Sequence, residues 1–283
     1  MEKIIEKART LVEALPYIRN FNGATFVIKY GGSAMTDGKY KEFFIEDIAL
    51  LNYVGVKIVL VHGGGDDINE MLKKLGKKPV FVDGHRVTDD ETLDIVEMVL
   101  VGKVNKEIIK NMNLHGVNAI GLSGEDGNLI MAKKKKSQKG KDIGFVGEVT
   151  RVNTKLLRTL DEQGYVPVIA PLGVDERGNG YNINADNVAG AVACALKADK
   201  LVYLTDTDGV KIKGKYVHSI RIKEIAGHIK SGDITGGMLP KTLSAKAAIE
   251  AGVKKVHIIN GILEHSLLLE IFTNEGIGTE IVK

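Results

Sequence analysis

Residues 26–33 read Phe-Val-Ile-Lys-Tyr-Gly-Gly-Ser, and residues 58–65 read Ile-Val-Leu-Val-His-Gly-Gly-Gly. Each is an apolar run of strand length that ends in a glycine turn. The pattern returns at 200–204, Lys-Leu-Val-Tyr-Leu, followed by Thr205, Asp206, Thr207, Asp208 and Gly209. A fourth turn, Thr235-Gly236-Gly237-Met238, leads through Pro240 to Lys241, while Lys29 precedes the first. Glycine lets backbone N–H groups approach an anion because no Cβ intervenes, and a following helix N-terminus adds partial positive charge. Several such turns with lysines at hand describe a site that gathers negative oxygens. Phosphoryl transfer needs such a site.

The segments between these strands read as helices. Residues 67–75 set Ile68, Met71, Leu72 and Leu75 on one face. Thr88 and Glu91 stand in capping-box spacing and predict a long helix over about 89–114. Further apolar strands are expected at 165–170, ending at Pro171, and at 255–259. Residues 129–149 read as a β-hairpin whose tip, 133–141, holds six lysines and is most simply solvated. Strand–helix alternation argues for an α/β fold with a mostly parallel sheet, and ligands in such sheets collect at the carboxyl ends of the strands. Residues 1–20 differ: Ile4, Ala8, Leu11, Leu15 and Ile18 form a heptad-like stripe, with a kink expected at Pro16.

The bulk properties narrow the class. The 283 residues suffice for one large α/β unit or two lobes, and 44% hydrophobic with 27% charged residues is ordinary for a soluble globular protein. A net charge of +3 drives the chain onto neither nucleic acid nor an anionic membrane. Cys194 is the single cysteine, so one chain holds neither a disulfide nor a cysteine-based zinc site; among small apolar neighbours it reads as structural. No run reaches the ~20 apolar residues of a membrane span, and no signal-peptide pattern is present. The expectation is a soluble cytoplasmic protein.

Two common nucleotide motifs are missing. Lys241 follows a proline and Lys29 precedes its glycines, so the phosphate-loop order Gly-Lys-Ser/Thr does not occur there. Gly276-Ile277-Gly278 lacks the third glycine of a dinucleotide fingerprint. What remains resembles the amino-acid kinase family, and within it the arginine-sensitive branch acting on N-acetyl-L-glutamate. The resemblance is carried by 29–33 (KYGGS), 62–65 (HGGG), 84–89 (GHRVTD), 144–147 (GFVG), 182–186 (NINAD), 205–210 (TDTDGV) and 235–241 (TGGMLPK), in family order.

That resemblance implies an open αβα sandwich: an oligomerisation helix at 1–22, an amino-acid-substrate lobe at 23–198 and an ATP-binding lobe at 199–283. It implies ATP-dependent phosphorylation of the side-chain carboxylate of N-acetyl-L-glutamate, with Mg²⁺ arriving on ATP and no dedicated metal cage. Lys29 and Lys241 match the two transition-state lysines, and Asp186 the carboxylate that orients them. Gly32, Gly64, Gly65, Arg86 and Asn182 match the substrate contacts, Arg86 gripping the α-carboxylate. Gly31, Thr205, Asp206, Asp208, Gly209, Gly236, Gly237 and Met238 match the nucleotide site. The chemistry suits these residues: a carboxylate nucleophile is already ionised at neutral pH, and what it needs is cations and N–H donors aimed at the transferring group. Simpler alternatives stand beside these roles: a surface salt bridge of Arg86 with Asp89 or Asp90, an N-cap role for Asp186, and helix caps for Asp206 and Asp208.

One departure is visible. The family usually continues the triple glycine with proline, whereas Asp66 and Asp67 follow here. Acids suit the start of a helix but place negative charge near an anionic substrate. Finally, His265, Glu270, Gly276, Gly278 and Thr279 match in spacing an effector site for L-arginine, with Tyr17 expected to pack nearby. On that match the chain would be a homohexamer, a trimer of dimers, inhibited by arginine. Glu270 would take the guanidinium, and the 276–279 loop would offer N–H groups to the arginine carboxylate. Two further readings stay open: a kinase for another acidic or N-blocked amino acid, and a non-catalytic nucleotide or arginine sensor.

Overall fold

A computed structural model of the chain describes residues 1–35, 37–137, 140–273 and 276–283. Helix α1 (Glu2–Phe21) runs through Pro16 as one element and leaves Ile4, Leu11, Val12 and Leu15 exposed. Strand β1 (Thr25–Tyr30), a 3-10 turn (Gly32–Met35), α2 (Gly38–Tyr53), β2 (Lys57–His62) and α3 (Gly65–Lys74) come next. A small ribbon, β3 (Phe81–Val82) with β4 (His85–Arg86), precedes α4 (Asp90–Glu97), seven residues of π-helix (Met98–Val104) and α5 (Asn105–Leu114).

The helix expected over 89–114 is therefore present but widened at its centre, and its cap differs from the expected one. The Asp89 carboxylate accepts the Thr92 N–H at 2.8 Å. Thr88 Oγ1 instead donates to the Arg86 carbonyl, and Glu91 pairs with Lys77. A full negative charge at the positive end of a helix outweighs a neutral hydroxyl.

Then come β5 (Ala119–Ser123), β6 (Ile130–Lys134), β7 (Gly147–Val152), α6 (Thr154–Glu162), β8 (Val166–Ala170), β9 (Leu172–Val174), β10 (Gly180–Asn182) and α7 (Ala185–Leu196). The chain continues through β11 (Lys200–Thr205), a ribbon of β12 (Lys211–Ile212) and β13 (Lys215–Tyr216), and β14 (Ser219–Arg221). It ends with α8 (Ile222–Lys230), α9 (Met238–Glu250), β15 (Lys255–Asn260), α10 (Ser266–Ile271) and β16 (Thr279–Val282).

The main sheet has the order β14-β16-β15-β11-β1-β2-β8-β5. It is parallel from β15 to β5; β16 runs antiparallel to β15 and parallel to β14. The expected hairpin is the antiparallel pair β6–β7, and it belongs to a second sheet of order β10-β9-β6-β7. Of its lysine-rich tip, residues 138 and 139 lie outside the described residues.

Alternation along the strands sends side chains into two apolar layers. Phe26, Ile28 and Tyr30 pack with α2, α3, α4, α5 and α10 on one side. Val27, Val59, Val61, Leu201 and Tyr203 pack with α6, α7, α8 and α9 on the other. Burying each aliphatic side chain this way stabilises by ~1.5–3 kcal/mol. Helices thus cover both faces of the sheet, giving an open αβα sandwich. Helices α7 and α9 approach closely because Gly190 has no Cβ, which would otherwise run into Ser244. Cys194 is half-buried on α7, and burial raises its thiol pKa, as a structural residue requires. Within the described residues, no helix is long and apolar enough to cross a membrane.

Candidate active site

Lys29 lies two residues beyond Val27 on β1 and so faces the α7 layer. Its Nζ stands 3.3 Å from Asp186 Oδ1, and Lys241 Nζ stands 2.6 Å from Asp186 Oδ2. Asp186 occupies the first turn of α7 and is 4% exposed. The cap of that helix is Asn184, whose side chain accepts the N–H groups of Asp186 and Asn187. Asp186 is therefore relieved of capping and offers both oxygens to the lysines. Burial alone would raise this carboxyl, but Lys29 and Lys241 beside it hold it below the usual carboxylate range. Tyr203 ties the framework together: its hydroxyl donates to the Asp186 carbonyl and bonds Ser244 Oγ at 2.8 Å, joining β11, α7 and α9.

Glycine is needed at two points here. A Cβ on Gly31 would fall 2.5 Å from Lys29 Nζ, so its absence makes room for the ammonium. Gly64 has φ +150° and caps α3, and a Cβ there would fall 2.6 Å from Leu100 Cδ2. Gly32 begins the 3-10 turn after β1 and is exposed.

A cavity of about 210 Å³ is lined by Gly64, Gly65, Phe81, Arg86, Asn182 and Ala185, the residue before Asp186, among others. The Arg86 guanidinium lies over the Phe81 ring at 4.9 Å, and its Nη2 donates to the Gly65 carbonyl at 3.1 Å. Nη1 is buried and has no hydrogen-bond partner. An orphaned guanidinium N–H on a cavity wall is costly unless a ligand oxygen completes it. The surface salt bridge considered for Arg86 does not form with Asp89, which caps α4 and pairs with Lys77 at 3.3 Å. Asn182 is set by β10; its amide donates to Thr88 Oγ1, and its N–H donates to the Phe145 carbonyl of the segment before β7.

The two unexpected acids behave differently. Asp67 pairs with Lys103 at 2.7 Å and is thereby neutralised. Asp66 is exposed, and its charge reaches Arg86, where it opposes the downward push of burial on the guanidinium. Asp66→Asn is expected to lower KM for an anionic substrate by about two- to fivefold, in line with an exposed charge, whereas Asp67→Asn leaves KM unchanged. Steady-state kinetics at low salt checks this; an unchanged KM for Asp66→Asn would mean that solvent screens its charge completely.

The nucleotide-matched residues fall at the ends of β11 and the start of α9. Thr205 closes β11, and its Oγ1 accepts the Thr207 N–H. Asp206 is exposed, near enough for its charge to act on Lys29. Asp208 accepts from Asn260 at 2.7 Å, a tie between β11 and β15 rather than a helix cap. Gly209 takes φ +135° against Thr279. Gly236 has φ +53°, Gly237 caps α9, and Met238 opens it, one turn before Lys241.

Of the effector-matched residues, Glu270, Gly276 and Gly278 lie together, near Lys200 at the start of β11, whereas His265 and Thr279 make their contacts elsewhere. Tyr17 packs on Phe21 and Phe272, and Phe21 lies 5.2 Å from Lys200 Nζ. Lys200 bonds His257 at 3.0 Å, and His257 Nδ1 stands 2.6 Å from Glu270 Oε1. Burial presses the Lys200 ammonium down to about 8. Ile277 and Gly278 donate their N–H groups to Glu270 Oε2, at 2.7 and 3.1 Å. A buried carboxylate outcompetes solvent for nearby donors. Gly276, with φ +61°, brings the loop over that carboxylate. His265 bonds Asp47 at 2.7 Å and docks α10 on α2; burial raises the Asp47 carboxyl to about 6. Thr279 accepts the Val210 N–H at 2.8 Å, so it touches the nucleotide turn rather than the Glu270 cluster. Lys200 and His257 were not singled out from sequence, although a lysine and a histidine inside otherwise apolar buried strands are a readable signal.

Comparison with known proteins bears on the family and the fold. Residues 24–260 match the model of the amino acid kinase family. The acetylglutamate kinase of Geotalea daltonii is 54% identical over 99% of this chain and 99% of its own length. Among solved structures, the N-acetylglutamate synthase of Neisseria gonorrhoeae, complexed with coenzyme A and N-acetyl-glutamate, superimposes with a TM-score of 0.86 at 30% identity, covering 98% of this chain. This chain spans 63% of that longer protein. The same synthase complexed with coenzyme A and L-arginine gives 0.82 at 28% identity, covering 98% of this chain and 65% of that one. Carbamate kinase from Giardia lamblia bound to AMP-PNP shares the fold, with a TM-score of 0.71 at 20% identity, covering 92% of this chain and 99% of its own. The chain belongs to the amino acid kinase family and, within it, to the acetylglutamate kinase branch.

Proposed function

We propose that this kinase transfers the γ-phosphoryl group of ATP to the side-chain carboxylate of N-acetyl-L-glutamate, a step of arginine biosynthesis. A carboxylate oxygen forms the new bond to γ-phosphorus, and the bond from γ-phosphorus to the β,γ-bridging oxygen breaks. The products are N-acetyl-L-glutamyl 5-phosphate and ADP. The observation that carries this reading is the Lys29–Asp186–Lys241 group: Asp186 adjoins Ala185 of the Arg86 cavity, and the charge of Asp206 in the 205–209 turn reaches Lys29. Two ammoniums and one carboxylate leave one net positive charge, suited to oxygens that gain charge as the phosphoryl group moves. Arg86 Nη1 takes the α-carboxylate, the Gly64 and Gly65 N–H groups face the reacting end, and residues 199–283 receive ATP with its Mg²⁺. Residues 23–198 then form the acceptor lobe. A coupled ADP-release assay with N-acetylglutamate, glutamate and aspartate tests the reading. Turnover with N-acetylglutamate is expected; turnover only with a free amino acid, or with none, would replace it by one of the two alternatives.

Regulation by L-arginine in a homohexamer belongs to the same proposal. It is supported by the exposed apolar stripe of α1, by the packing of Tyr17 on Phe272, and by the arginine complex of the similar synthase. Arginine at Glu270 would exchange the internal bonds from Ile277 and Gly278 for bonds to the effector, which gives it leverage on the loop. The coupling would be roughly 1–3 kcal/mol. Deleting residues 1–20 is expected to lower the mass in solution from hexamer to dimer and to abolish inhibition. A truncated chain that stays hexameric and fully arginine-sensitive would exclude the mechanism.

A further inference from the structure

His62 closes β2 and is fully buried. Its Nδ1 lies 2.6 Å from the Gly63 carbonyl oxygen, and its Nε2 lies 3.2 Å from the side-chain nitrogen of Asn105. The same Asn105 nitrogen donates to the Val168 carbonyl at 2.9 Å. An amide NH₂ has two hydrogens and no acceptor capacity, so it serves both neighbours as donor. Nε2 must then accept, and Nδ1 must carry the proton given to Gly63. Turning the amide over would set its oxygen against the Val168 oxygen, and an imidazolium would set one N–H against another. Burial acts in the same direction and lowers the His62 pKa to about 4.

The consequence is a glycine turn held from three sides. The Gly63 N–H donates to the Tyr30 carbonyl at 2.7 Å, so both polar groups of Gly63 are committed to the scaffold. Leu100 and Val104 of the π-helical segment press on Gly64. Asn105 is the next residue, opening α5. A π turn holds one more residue than an α turn and so rotates the helix beyond it, a device often found at functional sites. The Gly64 and Gly65 N–H groups, at the start of α3, have no acceptor within that helix and border the cavity.

We infer that His62, protonated at Nδ1 and held in that tautomer by Asn105, is a positioning residue that aims the Gly64 and Gly65 N–H groups at the reacting oxygens. Those oxygens belong to the substrate proposed for this kinase, so the inference rests on that reading. His62 touches no substrate; it acts through Gly63. A histidine that only filled space would affect stability and leave turnover of the folded enzyme alone.

Three measurements on the full chain decide the matter. With nitrogen-15 in the histidine rings, His62 at pH 7 is expected to show a protonated Nδ1 and a bare Nε2; a proton on Nε2 would overturn the inference. His62→Leu and Asn105→Leu are expected to lower kcat about 10²-fold while KM for ATP stays within about twofold. His62→Asn, whose amide nitrogen stands near the Nδ1 position, should recover kcat to within about tenfold of wild type. Wild-type kcat in folded His62→Leu would also overturn it. Where His62→Leu does not fold, the backbone amide signals of Gly64 and Gly65 in Asn105→Leu decide: displaced signals support the inference, unmoved ones overturn it. That last readout needs no turnover, so it stands apart from any failure of the N-acetylglutamate reading.

Discussion

Lys29→Ala and Lys241→Ala are each expected to lower kcat by about 10²-fold or more, with much smaller changes in either KM. The reason lies in where the two ammoniums point. Both meet one buried carboxylate, Asp186, at 3.3 and 2.6 Å, and they arrive from different elements, a strand end and the first turn of a helix. Neither can be spared electrostatically. Charge grows on the phosphoryl oxygens only as the bond to the leaving group loosens, so cations fixed beforehand stabilise the transition state more than the bound substrates. The two losses should not add, because each lysine also restrains Asp186 for the other. Asp186→Asn is expected to be at least as damaging, since it leaves two like charges close together with no counter-ion. Removing one partner of a buried ion pair costs about 3–5 kcal/mol, so thermal unfolding should be followed beside the kinetics. Near-normal kcat in both folded lysine variants would sink the proposed chemistry.

Arg86→Lys is expected to raise KM for N-acetylglutamate by about 10- to 100-fold and to leave KM for ATP within about twofold. The guanidinium already spends Nη2 on the Gly65 carbonyl and its face on Phe81, which leaves Nη1 buried and unpaired toward the cavity. A lysine reaching the same place offers a point charge, with no planar fork that can hold Gly65 and a ligand carboxylate together. Steady-state kinetics with each substrate varied in turn measures both values. An equal rise in the two KM values would assign Arg86 to the framework instead.

Much of this site was legible in the chain. Residues 26–33 and 58–65 carry strand and turn in their own composition, because an apolar run and a glycine turn are local preferences. The same holds for α3, with Ile68 and Leu72 on its buried face. The short strands β5, β14 and β16 carried no such signal; strands of three to five residues at or next to a sheet edge are made by their neighbours. The cap at 88–89 was misplaced by one residue, because two adjacent side chains can each cap and only the bend of the chain into α4 chooses between them.

Sequence alone thus determined which residue types were available for the chemistry: two lysines beside glycine turns, an acid at a helix start, and an arginine two residues after Gly84. Tertiary structure decided who meets whom. Strand β11 lies beside β1, and α7 lies over both, so residues 29, 186 and 241 converge. The His62–Asn105 pair, the Lys200–His257–Glu270 chain and the tie from Thr279 to Val210 have the same origin. Backbone preference and capping act over a few residues, whereas hydrogen bonds and ion pairs act over a few ångströms. Only the packed sheet brings segments distant along the chain within that range.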